Sequence, residues 1–172
     1  MAKLTRAAVA VALAIVASLT IEALAVDRVS GTLTRTFVIV EDTELAGDVT
    51  CDVGSNPCFS FGASGVVLRL NGYSMTGRAD PNTGCSGAAF ANENGISIIN
   101  QHDVIVQGPG MVQRFRNQGV FVTGGSRNTR IEGITASTNC ASGIRVADAF
   151  DTVVQGNTAI RNGNGTQPCG GI

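Results

Sequence analysis

The chain has 172 residues, enough for one domain with its own core. Lys and Arg number 12 against 13 Asp and Glu, a net charge of −1, so no basic field argues for a nucleic-acid partner. Of the 22 Gly, those inside the repeats recur at fixed offsets, which points to repeated turns and not to a flexible linker.

Residues 1–25 read as a signal peptide. Lys3 and Arg6 supply a positive start, Ala7 to Leu19 is an apolar run too short to span a bilayer comfortably, and Ala23-Leu24-Ala25 is a small-residue cleavage pattern. The mature chain is therefore expected to begin near Val26 and to be secreted, periplasmic or at the cell surface. No membrane span is expected once the leader is removed.

Residues 26–57 are expected to form an N-terminal cap and a first, irregular coil. Phe37-Val38-Ile39-Val40 is a buried-strand run, and Thr43 to Val49 alternates around Gly47. From residue 58 to 172 the chain reads as repeats, with residues 78–93 as a loop insertion rich in Pro, Asn, Gly, Ser and Ala. Such a loop on one coil is either a binding face or tolerated decoration.

The repeat is clearest between Gly95 and Gly156. Gly95-Ile-Ser-Ile98, Gly119-Val-Phe-Val122 and Gly143-Ile-Arg-Val146 start three copies 24 residues apart. Each runs on to Asp103-Val-Ile-Val-Gln-Gly108, Asn128-Thr-Arg-Ile-Glu-Gly133 or Asp151-Thr-Val-Val-Gln-Gly156. A period of this size means stacked supersecondary units. Within a copy the apolar residues alternate over short spans, so the units are strands. Ile96, Val120 and Ile144 then belong in one interior column, with Ser97, Phe121 and Arg145 facing out. A leucine-rich horseshoe is the competing solenoid, and the scarcity of Leu after residue 70 rejects it. The fold expected is all-β, a right-handed parallel β-helix of about five coils. No polar cap follows Gly170-Gly-Ile172, so either further coils or end-to-end self-association is expected.

Leu68-Arg-Leu-Asn-Gly-Tyr-Ser-Met-Thr-Gly77 resembles the LDLNGHTITG stretch of secreted right-handed parallel β-helix proteins of the pectate-lyase-like superfamily. Ile134 to Asn139, and Gly156-Asn-Thr-Ala-Ile-Arg-Asn162, resemble its GNTI..N repeat. The resemblance covers residues 37–172. It implies a polysaccharide-binding or polysaccharide-processing protein, lyase-like or glycoside hydrolase-like if it is an enzyme. A non-catalytic structural or adhesive surface module shares the scaffold, because fold alone does not set function. A periplasmic copper-delivery β-helix also shares it, but one His and three Met offer few soft ligands.

Three ladders follow from aligning the copies on Gly108, Gly133 and Gly156: Asp103, Asn128 and Asp151; Gln107, Glu132 and Gln155; Arg114, Asn139 and Asn162. Each is expected to be structural, with amides bonding up the stack and carboxylates bonding turn backbone. No cofactor is required; calcium is the one ion the first ladder suits. Its ligands would be Asp103 and Asp151, but these stand two rungs, roughly 9.6 Å, apart. Superfamily lyases set acidic calcium ligands beside a basic residue, which makes Arg145, Asp148 and Asp151 the catalytic candidates here. The hydrolases' paired aspartates and the epimerases' Asp-Pro-His triplet are absent from the sequence. Arg114, Arg116, Phe121 and Arg130 are the ligand-binding candidates, as cations and a stacking platform for an acidic glycan.

The five cysteines suit an oxidising compartment. The pairs expected are Cys51–Cys58, across a turn-rich hexapeptide, and Cys140–Cys169, at nearly the same place in successive repeats, which leaves Cys85 over. No C-x-x-C pair or Cys/His cluster supports a metal site. Asn164-Gly-Thr166 is a glycosylation sequon.

Overall fold

The structure is a computed structural model that describes residues 26–79, 85, 92–163 and 171–172. The expected signal peptide, the sequon at Asn164 and Cys169 lie outside the described residues.

The described residues form strands and turns and no helix. In chain order the strands are β1 (Asp27–Leu33), β2 (Phe37–Ile39), β3 (Thr43–Cys51), β4 (Phe59–Phe61), β5 (Val67–Arg69), β6 (Ser74–Thr76), β7 (Ile96–Ile99), β8 (Ile105–Gln113), β9 (Val120–Thr123), β10 (Ser126–Arg127), β11 (Arg130–Ser137), β12 (Ile144–Val146), β13 (Ala149–Phe150), β14 (Val153–Gln155) and β15 (Thr158–Ile160). The first sheet runs β1-β3-β5-β8-β11-β14, with β6 beside β3 and β8, and β15 beside β11. The second runs β2-β4-β7-β9-β12, and β10 pairs with β13. Every pairing is parallel. Each strand therefore pairs with its counterpart in the next copy, never with its chain neighbour. This all-parallel arrangement is compatible with a β-helix-like solenoid.

Alternation sets which residues enter the core. In the second sheet Ile96 pairs with Val120 and Val120 with Ile144, all three buried. Phe59 pairs with Ile96, and its ring lies 5.3 Å from that of Phe37 on the other side. In the first sheet Thr43, Leu68, Val106 and Ile131 form an equivalent buried column. Strands of three or four residues are unstable singly; stacked at about 4.8 Å they share continuous apolar columns.

The corners between strands are also stacked. Asp103, Asn128 and Asp151 all have left-handed backbone, with φ of 57°, 51° and 50°. Asn and Asp tolerate this region because a short polar side chain bonds locally. Here Asn128 Nδ2 donates to Asp103 Oδ1 at 3.0 Å. A second ladder closes the next corner: Asn94 Oδ1 accepts from the Gln118 amide N–H at 3.1 Å, and Gln118 Oε1 from that of Ser142 at 2.8 Å.

One expected ladder is shifted by a residue. Gln107 opposes Glu132, but the next pair is Gly110 with Ile134, so Gly108 and Pro109 together oppose Gly133 alone. The extra residue is a bulge. Arg114 consequently shares its corner with Thr138 and Arg161, all three with φ between 53° and 58°. Asn139 instead receives the Phe115 amide N–H at 3.0 Å.

The disulfides correct a second expectation. Cys51 pairs with Cys58, Cα atoms 5.7 Å apart, but Cys140 pairs with Cys85, not with Cys169. The reason lies in how the insertion is tied. At its entry Ala79 exchanges hydrogen bonds with Arg114, its N–H reaching the Arg114 carbonyl at 2.7 Å and its own oxygen accepting from Arg114 Nε at 2.7 Å. At its exit the buried Glu93 carboxylate receives Arg116 Nε at 2.8 Å. Both ends are thus held at one corner, a rung from Cys140, within reach of Cys85. The two disulfides fit an oxidising compartment.

Candidate functional site

Side chains that point away from the core of the first sheet form one continuous column. Arg28 pairs with Glu44, Glu44 with Arg69, Arg69 with Gln107, Gln107 with Glu132 and Glu132 with Gln155. The next outward column across the bend in β8 and β11 begins at Asp48, which accepts from the Ser74 N–H at 2.8 Å and from its hydroxyl at 2.9 Å, and runs on uncharged through Met111, Thr135 and Thr158.

The column ends in an open groove of about 630 Å³ lined by Gln107, Gly108, Pro109, Glu132, Gly133, Gln155 and Gly156. Glycine makes the groove. A Cβ on Gly108 would stand 2.0 Å from the Gly133 carbonyl oxygen, so no side chain fits there. Gly133 and Gly156 turn the chain with φ of 68° and 62°, a region that costs other residues strain. The floor is thus bare backbone, with polar side chains along one wall and the exposed Pro109 ring beside them.

Glu132 sits at the centre. Its carboxylate accepts from Gln155 Nε2 at 3.1 Å and from Arg130 Nη2 at 3.2 Å, and Gln107 Nε2 approaches at 3.5 Å. The Arg130 hydrogen bond, then that of Gln155, holds the Glu132 carboxyl below its ordinary range. Each glutamine amide keeps a carbonyl oxygen and a second N–H with no partner among the described residues. The arginines of this face are matched by acids: Arg28 by Glu44 at 3.0 Å, Arg69 by Asp42 at 3.2 Å and Arg130 by Glu132.

The residues singled out from the sequence are scattered. Arg145 lies over the Phe121 ring, 5.4 Å from its centroid, on the second sheet. Asp148 and Asp151 are left-handed corner residues on either side of β13. Arg114 and Arg116 hold the ends of the insertion, and Arg130 alone of this set stands beside the groove. Asp103 turns one carboxylate oxygen to Asn128 and the other to His102 Nδ1 at 2.8 Å, which keeps it ionised. Asp103 and Asp151 stand two rungs apart with Asn128 between them, and no group of three or more His, Cys, Asp or Glu side chains placed to hold a metal ion exists among the described residues. The ladder of Gln107, Glu132 and Gln155 was legible from the sequence as a stack. That it walls a groove depends on the bulge and the glycine floor.

These features define the chain as an all-β protein of parallel sheets with a polar groove on one outer face. No helix among the described residues is long and apolar enough to cross a membrane. Compared with known proteins, the chain matches no family model, no curated protein and no solved structure.

Proposed function

We propose that this protein is an exported right-handed parallel β-helix of about five coils, of the pectate-lyase-like kind, that binds a polysaccharide along the outer face of its first sheet. The observation that carries the reading is the unbroken outward column from Arg28 to Gln155 ending in the glycine-floored groove. Carbohydrate chains present hydroxyl edges and apolar C–H faces. A row of amide, carboxylate and guanidinium groups at about 4.8 Å intervals suits the former, and the Pro109 ring the latter.

Binding without bond cleavage is the better-supported form of this activity. A general acid needs a carboxyl whose pKa is raised by its surroundings. The one carboxyl that lines the groove, Glu132, is held below its ordinary value by the Arg130 hydrogen bond and then that of Gln155.

Affinity electrophoresis of the mature protein through gels containing single polysaccharides tests the reading. At least one polysaccharide is expected to retard migration, and Gln107→Ala with Gln155→Ala is expected to abolish that retardation while leaving the circular dichroism spectrum intact. No retardation by any polysaccharide would favour the structural or adhesive module instead.

A further inference from the structure

We infer that the groove takes a neutral, hydroxyl-rich polysaccharide and refuses polyuronates. This rests on the reading of the groove as a glycan site and names the chemical class of glycan it selects.

The argument is one of charge placement. The centre of the groove wall is a carboxylate, Glu132, and the groups on either side along the column are the uncharged amides of Gln107 and Gln155. Both oxygens of Glu132 are engaged by donors of this chain, which orients the carboxylate and keeps it ionised. Two cations stand beside the groove: Arg130, whose Nη2 is committed to Glu132 at 3.2 Å, and Arg69, next to Gln107 in the column, whose Nη1 is committed to Asp42 at 3.2 Å. A uronate entering here would set its carboxylate beside that of Glu132, with the positive charge already matched. Like charges in one site disfavour each other's ionised form.

A neutral sugar meets a different surface. Its vicinal hydroxyls both donate and accept. The free carbonyl oxygens of Gln107 and Gln155 accept, and their second N–H groups donate. Across the bend, Thr135 and Thr158 continue the face with hydroxyls of the same dual character. No bond is made or broken, so no acid, base or metal is needed.

The test compares the mature wild-type protein with Glu132→Gln, using neutral glucan, xylan and mannan against polygalacturonate and alginate at low and high salt. Wild type is expected to be retarded by a neutral polysaccharide and by neither polyuronate. Glu132→Gln removes the repelling charge and frees Arg130, so polyuronate affinity is expected to rise on the order of tenfold, the effect of one charge-assisted hydrogen bond. That gain should vanish at high salt. The double variant Glu132→Gln with Arg130→Gln should lose it, and melting curves of each variant report folding separately. Polyuronate retarding wild type as strongly as neutral glycans would overturn this inference and leave the glycan site standing. No gain in a folded Glu132→Gln protein would overturn it as well. Failure of every polysaccharide would overturn the glycan reading itself.

Discussion

Asn139 Nδ2 donates to Asn162 Oδ1 at 3.0 Å, joining two successive rungs through their corner side chains. Asn139 is fully buried, and its amide also serves the backbone: Oδ1 accepts the Phe115 N–H, and Nδ2 donates to the Val112 carbonyl at 3.2 Å. One planar group thus serves an amide just beyond the end of β8 and a carbonyl inside that strand. Asn139→Leu keeps the number of side-chain heavy atoms but leaves the Phe115 N–H buried without this partner, at a cost of about 1–3 kcal/mol. The variant is expected to lose roughly 1–3 kcal/mol. Urea denaturation should show a lower midpoint at unchanged slope. A loss under about 0.5 kcal/mol, the range of ordinary surface changes, would refute the role given to this amide.

The two disulfides differ in what they constrain. Cys51–Cys58 closes a sequence separation of 7, and Cys85–Cys140 one of 55. In the chain-entropy account the longer closure restricts the unfolded chain more, about 4 kcal/mol against about 2 kcal/mol. Cys85→Ala with Cys140→Ala should therefore destabilise more than Cys51→Ala with Cys58→Ala. Peptide mapping without reduction should recover the 51–58 and 85–140 links. A 140–169 link in their place would contradict the tethering of the insertion at Arg114 and Arg116.

Much of the architecture was readable from local pattern, because strand alternation and the 24-residue period both survive in the sequence. Ile96, Val120 and Ile144 needed only those two facts to be placed in one column. The shift between Arg114 and Asn139 was not readable that way. A fixed offset from Gly108 assumes equal rung lengths, and the bulge at Gly108 and Pro109 adds one residue to a single rung. The pairing of Cys85 escaped for a related reason: the insertion carries no periodicity, so nothing in it reports which corner it returns to. Gln107, Glu132 and Gln155 were visible as a stack. Their role as a groove wall depends on the close approach of Gly108 and Gly133 backbone, which spacing does not express.

Three carboxylates tie stability to acid in a defined direction. Asp48 is held down by the Ser74 backbone N–H and hydroxyl, Asp103 by His102 and Asn128, and Glu132 by Arg130 and Gln155. Each binds its proton less readily folded than unfolded, where the ordinary values are 3.8 for the aspartates and 4.5 for Glu132. Their contribution is therefore present at neutral pH and fades as pH falls below those values towards the lower folded ones. Urea midpoints should be level near neutrality and decline in acid. The triple variant Asp48→Asn, Asp103→Asn and Glu132→Gln should flatten that decline. A wild-type midpoint rising in acid would contradict the sign.

Thr129 shows the opposite situation, a polar group the fold leaves unserved. It follows the left-handed corner at Asn128 and is fully buried, and its hydroxyl has no partner among the described residues. The same position one rung away is Val104, also fully buried, and on the other side Thr152, whose hydroxyl is likewise without a partner. Valine matches threonine in shape and replaces the hydroxyl with a methyl group suited to this column. A buried unsatisfied hydroxyl costs about 1–3 kcal/mol, so Thr129→Val should stabilise the protein by about 1 kcal/mol. The melting temperature should rise by a few degrees, as expected for a domain of this size. Thr129→Ala, which removes the same hydroxyl but opens a cavity, should not share the gain. If valine lowers the melting temperature instead, the hydroxyl has a partner and the column is not apolar at that rung.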